Sequence, residues 1–116
     1  MKQYLSPEQT AKLIELGFDR PKNRVIKQLL DRSTDSWITI GEEGDYSIGE
    51  LIEMLPAVIR EFGGCYLNIH REENAWYVYY NPIIAEVTAP IYSTNYTELI
   101  DALFEMLVLL KEEGAI

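Results

Sequence analysis

This 116-residue sequence holds little of the usual equipment for chemistry. Cys65 is its single cysteine, which excludes an internal disulfide and fits a reducing compartment. His70 is its single histidine. The two lie five positions apart on one extended stretch, so they face opposite ways and cannot form a nucleophile–base pair within one chain. A zinc site needs three or four nitrogen, sulfur or oxygen ligands, and no spacing supplies them. The longest unbroken apolar run, Met106 to Leu110, is far short of the roughly 20 residues that cross a bilayer. No apolar segment with a small-residue cleavage site opens the chain, so no signal peptide is expected. Phosphate-cradling glycine loops, Walker patterns, G-x-S-x-G and H-E-x-x-H are missing too. No catalytic, cofactor-binding or metal-binding residue can be named, and the expected setting is the cytoplasm, with no membrane.

Positive charge is scarce and unevenly placed. Up to Arg32 there are seven cations against four acids, a balance of +3. From Ser33 onward only Arg60, Arg71 and Lys111 stand against fifteen acids, a balance of −12. Such an acidic body repels nucleic acid, whose binding depends on neutralising phosphate charge. Arg20, Arg24 and Lys27 would form one stripe if their segment were helical, but three cations make a small footprint and solvation explains them.

What is present is the material of a packed domain: 47% apolar and 25% charged residues, enough for one 1–116 unit with a core. Ser6-Pro7-Glu8-Gln9 starts a helix with a capping serine, a proline at the first position and a returning glutamine. That helix is expected from Pro7 to about Leu16, ending at Gly17, with Ala11, Ile14 and Phe18 inward. Pro21 permits a second helical segment to Asp31, with Val25, Ile26, Leu29 and Leu30 at helical spacing. Trp37 to Ile40 reads as a short strand and Gly41 to Asp45 as a solvated turn. Ser47 and Glu50 form a second capping box. Tyr46 staples onto Leu51, while Leu51, Ile52, Leu55 and Ile59 are expected on the buried face, and Pro56 is expected to end or kink the helix.

Alternation is clearest in Cys65 to His70 and Ala75 to Tyr80. A four-residue loop, Arg71 to Asn74, would pair His70 with Ala75, Asn68 with Tyr77, and Tyr66 with Tyr79. Leu67, Ile69, Trp76 and Val78 then share the core face, and Tyr66, Asn68, His70, Tyr77 and Tyr79 share the outer one. Those five are the candidate interaction face, because exposed aromatics on a rigid sheet make good anchors for a protein partner. Ile83 to Val87 and Ile91-Tyr92 supply a further strand, kept to an edge by Pro90.

The last stretch reads as one long apolar helix, Tyr96 to Glu113, capped by Asn95 and closed by Gly114, about 27 Å long. Glu98, Asp101, Glu105 and Glu112 fall on one stripe of it, expected to be its wet edge rather than a metal or acid–base site. The expected fold class is α+β: a three- or four-stranded antiparallel sheet with helices packed mainly on one face.

Three phrases carry a likeness: Leu16-Gly17-Phe18-Asp19, Tyr46-Ser47-Ile48-Gly49-Glu50-Leu51-Ile52-Glu53-Met54-Leu55-Pro56, and Glu98-Leu99-Ile100-Asp101-Ala102-Leu103. Together they resemble a loose group of short uncharacterised proteins of phage, prophage and gut Bacteroidetes-type genomes, over most of the chain. The resemblance implies no activity and no site residue; it favours an accessory role in a mobile element. The expected function is a non-enzymatic protein-interaction or accessory domain, with a protein partner or a homodimer. The alternative is an acidic nucleic-acid mimic that occupies a basic enzyme groove.

Overall fold

The structure is a computed structural model that describes residues 1–22, 25–83 and 90–116. Its order is α1 (Pro7–Glu15), β1 (Val25–Asp31), β2 (Ser36–Glu43), α2 (Ile48–Met54), β3 (Val58–Ile59), a 3-10 turn (Glu61–Gly63), β4 (Cys65–Glu72), β5 (Ala75–Pro82), β6 (Tyr92–Tyr96) and α3 (Leu99–Glu112). The class is α+β. One antiparallel sheet has the order β3-β4-β5-β6, and β1 and β2 form a separate antiparallel pair.

Local chemistry sets the helix ends. Both capping boxes form: Ser6 accepts from the Gln9 amide at 3.2 Å, and Ser47 accepts from the Glu50 amide at 3.2 Å. Gly17 and Gly114 take left-handed φ values of 101° and 75°. Each closes its helix with paired carbonyl contacts, such as the Ala115 amide donating to Leu110 at 2.8 Å and Gly114 to Lys111 at 3.2 Å. Leu55, before Pro56, is extended at ψ 128°, so α2 stops at Met54.

Several expectations need correction. Val25–Asp31, expected within a helical segment from Pro21, is a strand. Apolar spacing over six residues fits either form, and the turn decides. The Asp31 carboxylate accepts from the Ser33 amide at 3.0 Å and its hydroxyl at 2.7 Å, Asp35 takes φ 55°, and the chain folds back on itself. The helical spacing expected to align the cations is lost: Arg20 precedes the strand and Lys27 lies in it, while Arg24 is outside the described residues. β2 continues through Gly41, Glu42 and Glu43, taken above as a turn.

The β4–β5 register is also shifted by two: His70 faces Tyr77, Asn68 faces Tyr79 and Ile69 faces Val78. The loop shrinks to Glu73-Asn74, with Glu73 at φ 53°. Two further ladder pairs, Arg71 with Trp76 and Glu72 with Ala75, accompany that left-handed residue. An even shift leaves each side chain on its expected face. β6 takes Asn95 and Tyr96 from the expected helix, so α3 begins at Leu99, and Glu98 sits at the cap without a capping bond. Of the expected strand near Ile83 to Val87, 84–87 lie outside the described residues.

α3 covers one face of the sheet. Leu99, Ile100, Ala102, Leu103, Phe104, Met106, Leu107 and Leu110 are buried on it, against Val78 and Tyr80 of β5 and Leu13 and Leu51 of the other helices. Leu67, Ile69 and Trp76 complete that face at partial burial. Ala11 and Ile52 are exposed, contrary to expectation, and Leu13 takes the inward place in α1. None of the described helices is long and apolar enough to cross a membrane.

The β1–β2 ribbon stands apart. Its strands pair with each other, and no other described element packs broadly against them. The molecule measures 71 × 30 × 17 Å with a radius of gyration of 18.2 Å. A compact chain of this length would have about 13 Å.

Candidate interaction surface

Among the described residues, no helix packs on the sheet face opposite α3, and side chains gather there. Alternation along β4 sends Tyr66, Asn68, His70 and Glu72 to it, and the observed register adds Tyr77, Tyr79 and Asn81 from β5. Val58 joins from β3 opposite Tyr66, and Ser93 and Asn95 join from β6 opposite Tyr79 and Tyr77. All five expected residues are thus together on one face.

His70 is the hub. Its ring stacks on Tyr77 at 5.1 Å and 12°, and meets Tyr79 edge-on at 5.4 Å. His70 Nδ1 is 3.2 Å from the Tyr79 hydroxyl, and Nε2 is 3.7 Å from a Glu72 carboxylate oxygen. The Asn68 amide donates to the Tyr66 carbonyl at 3.2 Å. Tyr66 at 44% and Val58 at 53% exposure extend the apolar part of the face beyond the hub. These contacts hold aromatic rings in place before any partner arrives, which lowers the ordering cost of binding.

Sequence reasoning missed Val58, Asn81, Ser93 and Asn95. A β-branched pair after Pro56 was a weak signal for β3, and alternation in Tyr92 to Tyr96 was a better one for β6.

Cys65, Glu98 and Asp101 are occupied in structure. Cys65 is fully buried on the core face, its Sγ 3.3 Å from the Glu61 carbonyl, so the sheet separates it from His70. Burial, with Glu61 beside it, pushes its thiol pKa up, which suppresses the thiolate. On the acidic stripe, Asp101 accepts from Lys2 Nζ and Gln9 Nε2, each at 3.0 Å, and Glu98 accepts from the Lys2 amide at 2.9 Å. Glu98 and Asp101 therefore clasp the N-terminal segment onto the start of α3. Burial raises the Asp101 carboxyl pKa, but the Gln9 and Lys2 bonds outweigh it and leave the group below its ordinary value. Among the described residues no group of three or more His, Cys, Asp or Glu is placed to hold a metal ion.

Among the described residues, two hollows away from this face bear on its chemistry. One of 330 Å³ opens beside α2, where Arg20 and Lys22 sit near Asp19, Glu50 and Glu53 over Phe18, Tyr46 and Met54. The buried Tyr46 hydroxyl donates to the Asp19 carbonyl, and burial, Glu50 and Asp19 together raise its pKa. The other, of 500 Å³, lies by Arg71, which covers the Trp76 ring at 5.9 Å. Neither joins His70 to a second titratable group in a depression, as a hydrolytic site would. Comparison with known proteins finds no matching family, no matching curated protein and no matching solved structure.

Proposed function

We propose that this chain is a non-enzymatic accessory domain that binds protein through its tyrosine-rich sheet face. One observation carries the reading: His70 is stacked on and bonded to the half-buried Tyr77 and Tyr79 in advance, on a sheet face that no described helix covers, next to exposed Tyr66 and Val58. Antiparallel sheets usually turn one face to water with polar side chains, whereas aromatic anchors on such a face are what protein interfaces use. The net charge of −9 favours a protein partner over nucleic acid. A lone, buried thiol suits the cytoplasm. The likeness of its helix motifs to short phage and prophage proteins supports an accessory role in a mobile element.

The test is affinity capture from the native cell with wild-type chain and with a Tyr66→Ser/Tyr77→Ser variant, both verified as folded by circular dichroism. A protein held by the wild type and lost by the variant is the expected result. Identical captured sets would refute the reading.

A further inference from the structure

The hollow beside α2 has the size and lining of a small-molecule site. Its 330 Å³ lies within the roughly 300–1,000 Å³ of ligand pockets, which combine apolar side chains with a few charged ones. Phe18, Met54 and the buried ring of Tyr46 supply the apolar lining. One wall is backbone fixed at three points. The Phe18 amide donates to the Leu13 carbonyl at 3.1 Å, the Tyr46 hydroxyl donates to the Asp19 carbonyl, and the Lys22 amide donates to Glu50 Oε2 at 2.9 Å. A ligand therefore meets a shape already formed, with little ordering cost. The other hollow offers one aromatic ring, Trp76, and Arg71 already covers it.

We propose that this hollow binds a free α-amino acid with an apolar side chain. Its carboxylate lies on Arg20, its ammonium on Glu53, and its side chain against Phe18, Tyr46 and Met54. The charges around the rim select that chemistry. Arg20 and Lys22 stand among Asp19, Glu50 and Glu53, so a plain anion meets three carboxylates and a plain cation meets two like charges. A zwitterion offers each sign its opposite and adds no net charge. The rim carboxylates also differ in how firmly they are engaged. Glu50 is committed to backbone, Oε2 accepting from the Lys22 amide and Oε1 from the Ser47 amide at 3.5 Å. Glu53 is 3.9 Å from Lys22 Nζ, and these side chains are 74% and 83% exposed. Such a contact is worth little and exchanges readily for a ligand's ammonium. Arg20 carries a planar fork that matches a carboxylate with two parallel bonds. Met54 adapts its shape, and Phe18 and Tyr46 supply ring surface, which suits an aromatic or branched aliphatic group. The site is separate from the tyrosine face and independent of protein docking there.

An NMR titration of the full chain with L-phenylalanine, followed at the backbone amides, reads the outcome. The amides of Phe18, Arg20, Lys22 and Met54 should shift and saturate, with a Kd on the order of a few millimolar or below for a ligand of about twelve heavy atoms. N-acetyl-L-phenylalanine lacks the ammonium and L-phenylalanine methyl ester lacks the carboxylate. Each should bind at least about 10-fold more weakly, as loss of a charge-assisted bond does. L-aspartate, without an apolar side chain, should give no saturable shift. Arg20→Gln should weaken L-phenylalanine about 10-fold and leave the ester binding no more weakly than before. Glu53→Gln should likewise weaken L-phenylalanine and spare the N-acetyl compound. Both positions are exposed, so neither change disturbs the core. Absence of saturable shifts at about 10 times the expected Kd overturns the proposal. So do shifts confined to residues outside the hollow, equal binding of L-aspartate or of either blocked compound, or indifference to Arg20→Gln or Glu53→Gln.

Discussion

Tyr80 is the sharpest place to test how the two layers are joined. It lies on β5, fully buried between sheet and helices, and its hydroxyl donates to the Pro56 carbonyl at 2.6 Å, just past the end of α2. Burial pushes its pKa up to about 12 from an ordinary value of 10.0. The raised value means that the folded chain holds the proton more tightly than the unfolded one. Its contribution is fully present below pH 10 and is lost as pH rises towards and through 12. At about 1.4 kcal/mol per unit, a two-unit shift amounts to about 2–3 kcal/mol lost across that window.

Tyr80→Phe keeps the ring and removes both the hydrogen bond and the titration. At neutral pH it should cost about 1 kcal/mol, the net worth of a buried hydrogen bond, with some addition for the unpaired carbonyl. As pH climbs past 10 that difference should shrink and then change sign, so that the variant is the more stable protein near pH 12. Urea unfolding at stepped pH, followed by circular dichroism, measures the difference directly. Other groups that titrate in this range, Tyr46 and Tyr92 included, are common to both proteins and cancel. A wild-type-minus-variant difference that stays constant from pH 8 to about pH 12 would refute the argument.

Glu73→Gly should stabilise the protein by about 0.5–1 kcal/mol in thermal or urea unfolding, because a left-handed φ of 53° is costly for a residue with a Cβ. Leu107→Ala, at a fully buried site in α3, should cost about 2–5 kcal/mol, and a cost below 1 would mean that α3 is less closely packed than described. Asp101→Asn should cost about 0.5–1 kcal/mol at neutral pH. Because the folded carboxyl pKa is depressed, that difference is present above the ordinary carboxylate pKa and should vanish as pH falls through the folded value. A deficit for Asp101→Asn that persists in acid would show that the loss is steric.

The face assignment survived a wrong register because side-chain direction along a strand has period two. The loop could be misjudged by two residues while Tyr66, Asn68, His70, Tyr77 and Tyr79 still shared one side. The stacking of His70 on Tyr77 depends on the true register and could not be foreseen. Nor could the clasp of Lys2 on Asp101, which joins positions 99 residues apart.

By itself the sequence determined what lies within one or two turns of chain. Both capping boxes, the glycine stops at Gly17 and Gly114, the end of α2 before Pro56 and the alternation of β4 and β5 are set by neighbours in sequence, whose geometry leaves few options. Tertiary structure decided the rest. Val25–Asp31 carries a pattern that suits helix and strand alike, and becomes a strand because Ser36–Glu43 returns to pair with it. Asn95 and Tyr96 could cap and begin a helix, but β5 recruits them as its edge partner and delays α3 to Leu99. In each case the local preferences differ by less than about 1 kcal/mol per residue, while a ladder of backbone bonds and shared burial adds up over the whole element.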